Sequence, residues 1–271
     1  MTISELCIFS VTHREFAFPN CDFIKPLQVG QQFSNLDLDI ISDNTGDNIA
    51  NKNPTFSELT ALYWIWKNLD KINGEYLGLC HYRRYFVRPE VYTKKKFFRT
   101  ETRLDSSPLY LKDLNKENIA LAASQALKET LISELRLGKV VVPTSNPLSI
   151  DGVVPSSIKN HFIYCHLKED WELMRIAVFK LYPKTEAIFD DFFNQQTSMY
   201  CYNMFIADKK TFSAYCAWLF PILFELEKTV KLSEYPYQRR IFGFFSERLL
   251  NLYIKEQQIE VAEFPVIWLT D

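Results

Sequence analysis

The chain has no paired cysteines, no excess of basic charge and no hydrophobic run long enough to cross a bilayer. Each absence removes a class of function. Its six cysteines, Cys7, Cys21, Cys80, Cys165, Cys201 and Cys216, are scattered without a CxxC among them. That spacing supplies no zinc-ligand pair, and the apolar surroundings of most of them suit buried free thiols in a reducing compartment. A formal net charge of -2 argues against nucleic acid as a partner, because such binding normally needs a strongly basic domain or stripe. The longest apolar stretch, Trp218 to Phe224, is too short to span a membrane and contains Pro221. Met1 to Glu5 lacks the basic region of a secretory leader. No internal repeat, low-complexity tract or convincing linker divides the chain. What is present is a chain of 271 residues, 47% hydrophobic and 15% aromatic, which can bury a sizeable core and is not disordered. These features predict one cytoplasmic domain over residues 1–271.

The order of elements in the first third is that of an α/β sheet. Leu6 to Val11 is a continuous apolar run of strand length, followed by Thr12-His13-Arg14. A second short strand near Leu27 to Val29 begins just after Pro26. A polar loop rich in Asp and Asn runs from Asp37 to Asn53. Asn53 as N-cap and Pro54 at the first helical position then open a helix. Its apolar stripe is Phe56, Leu59, Tyr63 and Trp66. Asn73-Gly74 turns the chain into a buried strand, Tyr76 to Cys80, which ends in His81-Tyr-Arg83-Arg84-Tyr-Phe86. In an open α/β sheet, ligands gather at the carboxyl ends of strands. Cations at such an end point to an anionic ligand. Arginine suits phosphate because its planar fork donates two parallel hydrogen bonds and stays charged.

Residues 91 to 113 break this pattern and read as a variable loop or insertion. Within it, Lys94-Lys95-Lys96-Phe97-Phe98-Arg99 sets charge beside aromatics. That run suits either a solvated loop or peripheral contact with the anionic inner face of a plasma membrane. A helix is expected from Asn115 to Leu137, closed by Gly138, then a strand from Lys139 to Val142. From about 156 to 257 the chain reads as mostly helical, with one helix kinked or broken near Pro221. The strand-like run Met199 to Ala207, with Asn203 at its centre, interrupts that half, and Ile259 to Leu269 reads as an edge-like tail.

Several groupings carry possible chemistry. Asp37-Leu-Asp39 has the DxD spacing with which many sugar-nucleotide enzymes hold a divalent metal, but no buried strand precedes it. At the strand end where such an acidic pair would stand, this chain has His81, Arg83 and Arg84. Fixed cations there can neutralise a diphosphate directly, which predicts metal independence. Asp43, Asp47 and Asn48 suit ribose or base recognition, or simple turn chemistry. Glu58 reads as a first-turn carboxylate complementing the helix dipole. His166 and Asp170 are spaced i,i+4, so one helix face would bring imidazole and carboxylate together as an oriented base. Asn203 needs partners if buried, and sugar hydroxyls are one set. Arg240, Gly243 and Glu247 share a helix face, where the glycine suggests close approach of a ligand or another backbone. They equally suit an ion network with Arg248.

Together, Asp43 to Ile49, Glu58 to Asn68 and His81 to Phe86 resemble a bacterial family of polysaccharide glycosyltransferases, long catalogued as a domain of unknown function, with galactofuranosyltransferase-type members. Asn203 to Ile206 and Arg240 to Leu249 are similar to its later blocks. The resemblance implies a GT-A-like, Rossmann-related mixed sheet flanked by helices, with a helix-rich C-terminal half. It also implies an inverting hexosyltransferase. The donor would be a nucleoside-diphosphate sugar such as UDP-galactofuranose or another UDP-hexose. The acceptor would be a growing capsule, exopolysaccharide or O-antigen chain, or a lipid-linked glycan. On that basis Asp43, Asp47, Asn48, His81, Arg83, Arg84 and Arg240 are expected to bind donor, His166 and Asn203 acceptor, and Asp170 or Glu247 to act as base, with no cofactor. Two other classes fit the same residues: a non-catalytic nucleotide-sugar or carbohydrate-binding module, and a phosphodiester enzyme or RNA-contacting protein.

Overall fold

Period-two alternation in the first strand decides where the two cores lie. In β1 (Leu6–Thr12) every residue is buried. Cys7, Phe9 and Val11 join one apolar cluster, while Leu6 and Ile8 join another. The strand therefore packs on both faces, as its unbroken apolar run requires. A computed structural model describes residues 4–89, 91–96, 99–104 and 107–270. After β1 come β2 (Ile24–Gln28), the short helix α1 (Asn53–Phe56), α2 (Leu59–Lys67), β3 (Tyr76–His81) and β4 (Arg84–Phe86). Two strands, β5 (Val91–Lys96) and β6 (Arg99–Leu104), form an antiparallel hairpin. Then follow β7 (Leu109–Asp113), α3 (Lys116–Ala122), α4 (Gln125–Arg136) and β8 (Val140–Pro143). The helical half comprises α5 (Ile158–Cys165), α6 (Lys168–Leu181) and α7 (Glu186–Gln195), then β9 (Phe205–Asp208), α8 (Lys209–Glu227), α9 (Pro236–Arg239) and α10 (Ile241–Glu256). Two strands, β10 (Val261–Phe264) and β11 (Val266–Thr270), close the described chain.

Nine of these strands form one mixed sheet. Its main body runs β2-β1-β3-β9-β8-β10, with β1 parallel to β2 and β3, and β9 antiparallel to β3 and β8. A second arm, β4-β11-β7, leaves the carboxyl end of β3 through the His81–Arg84 pair. Gly78 lets β9 lie against β3: a Cβ there would stand 2.7 Å from Ile206 Cγ1 and 2.8 Å from the Phe205 carbonyl oxygen. On one face α2, α6, α8 and α10 cover Phe9, Leu77 and Leu79. On the other, Leu127, Leu131 and Leu135 of α4 cover Leu6, Ile8 and Cys80.

Several local expectations change. The single helix expected over 115–137 is two, because the Ser124 side chain accepts from the Leu127 N–H and starts a new helix. The helix containing Pro221 runs unbroken over 19 residues; Pro221 itself faces solvent while Phe220, Ile222 and Leu223 are buried. The tail is an edge only at β10, since β11 lies between β4 and β7. Residues 109–113 of the stretch read as a variable loop form the sheet's outer strand there. The basic-aromatic run 94–99, read as a solvated loop or a peripheral membrane contact, lies partly outside the described residues, and its side chains lie wholly outside them. Among the described residues, no helix is long and apolar enough to cross a membrane.

Candidate active site

The carboxyl ends of parallel β1 and β3 open on a cleft of about 780 Å³, a volume suited to a small-molecule ligand. Val11 and His13 enter it from β1, and His81, Tyr82, Arg83 and Arg84 from β3 and the turn that follows. The first turn of α10 completes the wall with Arg240, Gly243 and Phe244, so the positive end of that helix faces the ligand space. Four arginines, Arg83, Arg84, Arg240 and Arg248, stand against two carboxylates, Glu58 and Glu247. The excess is two positive charges. The histidines add none, because burial pushes His13, His81, His161 and His166 below the ordinary imidazole range.

Ring stacking fixes the Arg84 guanidinium. It lies 4.3 Å from the Trp268 ring and 4.9 Å from the Tyr202 ring. Its Nε is buried without a hydrogen bond among the described residues, so the fork is aimed by its faces rather than by donors. The Arg83 guanidinium lies 5.6 Å from the Tyr82 ring. His81 has a different task from the one expected. Its Nε2 donates to the Tyr202 carbonyl at 2.6 Å, and burial keeps it neutral, so it positions the Tyr202 segment and brings no charge to a diphosphate.

Backbone strain gathers at this cleft. Ser57 has φ 50°, Tyr202 φ 74° and Asn203 φ 52°, left-handed values that cost non-glycine residues roughly 1–3 kcal/mol each. Ser57 and Asn203 belong to one network. Asn203 Nδ2 donates to Glu58 Oε1 at 2.7 Å and to the Gly243 carbonyl at 3.1 Å. Arg240 Nε donates to Ser57 Oγ at 2.8 Å, and its Nη2 stands 3.6 Å from Glu58 Oε2. The Asn53 side chain does not cap a helix; it donates to the Ser57 carbonyl and to Thr60 Oγ1, bracing the α1–α2 junction. A Cβ on Gly243 would meet Glu58 Oε1 at 3.6 Å, ordinary contact, so protein packing alone does not demand glycine there.

The chain belongs to a family described as "Domain of unknown function (DUF4422)", whose model matches residues 7–258. No curated protein matches it. Among solved structures it is similar to one titled as the apo form of WbbM, a bifunctional glycosyltransferase, with a TM-score of 0.82 and 28% identity. That likeness covers 99% of this chain but 46% of the other, so the chain spans just under half the length of its neighbour. The fold of this DUF4422 chain is GT-A-like: a mixed central sheet flanked by helices.

Of the site residues expected from the DUF4422 sequence, His81, Arg83, Arg84, His166, Arg240 and Glu247 line the cleft. Asp170 does not. His166 ends α5 in an extended conformation, φ -138° and ψ -178°, so the expected i,i+4 pairing with Asp170 is broken between two helices. Asp170 is buried in the first turn of α6, and desolvation raises its pKa to about 6. The His166 ring instead stacks on Phe244, and its Nδ1 donates to Gln238 Oε1 at 2.8 Å. Asn203 stands behind Glu58 with its amide protons committed inside the protein, a clamp rather than a reader of acceptor hydroxyls. Glu247 is held at both oxygens, by the Tyr202 N–H at 2.8 Å and by Arg248 Nη1 at 3.0 Å, and burial raises its pKa. Glu58, which reads from the sequence as a first-turn carboxylate, also lines the cleft.

Neither Asp47 nor Asn48 lines the cleft. Asp47 accepts from the Tyr63 hydroxyl, and Asn48 bonds the Gly46 carbonyl and the Ala50 N–H, which is turn chemistry. Asp37 Oδ1 accepts from the Asp39 N–H on the exposed surface, also outside the cleft. Asp43 is wholly buried, and among the described residues neither of its carboxyl oxygens accepts a hydrogen bond. The nearby Thr60 hydroxyl is committed to the Ser57 carbonyl. Desolvation raises the Asp43 pKa to about 6, corresponding to about 3 kcal/mol against the ionised form. The folded state therefore keeps this proton when the unfolded chain has lost it. Stability falls as pH rises from the unfolded value of 3.8 towards 6, and the penalty is complete above that window. Urea melts are expected to show Asp43→Asn more stable than wild type at pH 8, with the advantage fading at acid pH. An equal difference at both ends would mean that ionisation of Asp43 is not what the substitution relieves.

Proposed function

We propose that this chain is an inverting glycosyltransferase acting on a nucleoside-diphosphate sugar. Its acceptor is a growing cell-surface polysaccharide or lipid-linked glycan. The observation that carries the proposal is the arginine-rich cleft at the carboxyl ends of β1 and β3, with Arg84 aimed by two aromatic rings. The likeness to a bifunctional glycosyltransferase supports it. UDP-galactofuranose or another UDP-hexose is the donor class implied by the sequence resemblance.

In this mechanism an acceptor hydroxyl oxygen attacks the anomeric carbon, and the bond from that carbon to the diphosphate oxygen breaks. The electron pair leaves with the diphosphate, whose growing charge meets Arg83 and Arg84. A carboxylate receives the hydroxyl proton. Glu58 suits this role better than Glu247, because Asn203 orients Oε1 while Oε2 stands 3.6 Å from Arg240, beyond hydrogen-bond length. Both oxygens of Glu247 are already engaged.

Thermal melts with UDP and with UDP-hexoses, run with and without EDTA, test this directly. A bound ligand at about a hundred times its Kd stabilises the fold by about 2.7 kcal/mol. The expected result is a rise in Tm that chelator leaves unchanged, together with release of UDP from a sugar donor. A rise without any release of UDP would favour a binding module. No rise with any nucleotide would remove the proposal.

A further inference from the structure

The part of the cleft wall built by α5, α9 and α10 has a different chemistry from the arginine turn. Tyr237 lines the cleft yet keeps 62% of its surface exposed. Its ring rests 5.1 Å from that of Phe244, which lies 4.3 Å from His166 at 28°. His166 in turn stands 4.8 Å from Phe162, a fully buried ring. The result is a ladder of four rings, anchored in the core at one end and open to the cleft at the other. The backbone of α9 is pinned from beneath: Gln238 accepts from His166 Nδ1 and donates to the Cys165 carbonyl at 2.9 Å. The Tyr237 hydroxyl and His166 Nε2 make no hydrogen bond among the described residues. Nothing in the transfer step assigned above uses Tyr237.

We infer that Tyr237, supported by Phe244 and His166, is a stacking platform for a sugar ring of the acceptor glycan. This rests on the glycosyltransferase reading, since an acceptor subsite presupposes transfer. A sugar ring has one face of C–H groups and a rim of hydroxyls. An exposed aromatic face with a neutral lone pair beside it matches both at once, and a rigid ring loses little conformational freedom on binding. His166 is neutral here, its pKa pushed down to about 4 by burial, so Nε2 is an acceptor for a hydroxyl proton. A nucleobase can stack on such a ring without partners, but recognition of one particular base would also need hydrogen-bonding groups fixed along its edge. The Gln238 side chain, on the same short helix, is bonded to His166 and Cys165.

Saturation-transfer NMR on the full chain, with UDP at saturation, tests the platform with methyl β-galactopyranoside and methyl β-glucopyranoside as probes. Wild type is expected to transfer saturation to the ring C–H protons of at least one glycoside. Tyr237→Ala should weaken glycoside binding by about tenfold, the order of one aromatic contact, while Tyr237→Phe retains it. Because Tyr237 is exposed, both variants should keep the wild-type Tm and UDP affinity. A glycoside signal unchanged in Tyr237→Ala overturns the inference, as does its absence in UDP-bound wild type. So does a loss of UDP affinity in Tyr237→Ala, which would place a nucleobase on the ring. Failure of wild type to bind UDP at all would strike the glycosyltransferase reading itself, and this inference with it.

Discussion

Glu58→Gln is expected to lower the transfer rate by about 10²- to 10⁴-fold, the usual contribution of a positioned base, while UDP affinity stays near that of wild type. The amide keeps the size of the carboxylate, and its oxygen can still accept from Asn203 Nδ2, so the clamp that runs from Asn203 to Gly243 survives. What disappears is the lone pair that receives the acceptor proton. Glu247→Gln should behave differently. Arg248 is 4% exposed and pairs with Glu247 Oε2 at 3.0 Å, so removing that partner leaves a buried charge uncompensated. Breaking such a pair costs about 3–5 kcal/mol, and the fall in Tm should be plain before any assay is run. The two substitutions therefore separate a proton acceptor from a structural ion pair. Steady-state kinetics and melts of both variants decide it: full turnover in Glu58→Gln would take the base assignment away from this residue.

Why Glu58 escapes a reading of the sequence is a matter of distance along the chain. Its partner Asn203 lies 145 residues away, and locally it looks like any carboxylate in a first helical turn. The strain that aims it, at Ser57, Tyr202 and Asn203, leaves no glycine or proline to mark the place. The false pairing of His166 with Asp170 has the same origin, because nothing at Leu167 announces that one helix has ended and another begins. By contrast, β1 and β3 are legible because burial on both faces demands apolar runs, and Leu6 to Val11 and Tyr76 to Cys80 supply them. Since the two strands are parallel neighbours, the residues just beyond them, His13 and His81 to Arg84, are brought to one end of the sheet. The position of β11 was not legible, since it is set by pairing with β4 and β7 far upstream. That pairing carries Trp268 to within 4.3 Å of Arg84.

Trp268 explains why the second large effect is expected at Arg84 and why lysine will not restore it. A charge-assisted hydrogen bond contributes about 1.5–3 kcal/mol, so Arg84→Ala should weaken UDP binding by about 10- to 100-fold. Arg84→Lys keeps the charge but lacks the flat fork that lies against the Tyr202 and Trp268 rings and can meet two phosphate oxygens at once. Its affinity should therefore fall close to that of the alanine variant. Trp268→Ala offers a complementary test, because it leaves the guanidinium in place and removes one of the surfaces that aim it. If stacking pre-organises Arg84, Trp268→Ala should lose part of the same affinity, and adding it to Arg84→Ala should cost little more for UDP binding, since both act through one group. Calorimetric titration of UDP into the four chains, set against wild type, gives these differences. If Arg84→Lys binds UDP as tightly as wild type, a point charge is sufficient at this strand end, and the case for a fork aimed by aromatic contacts fails.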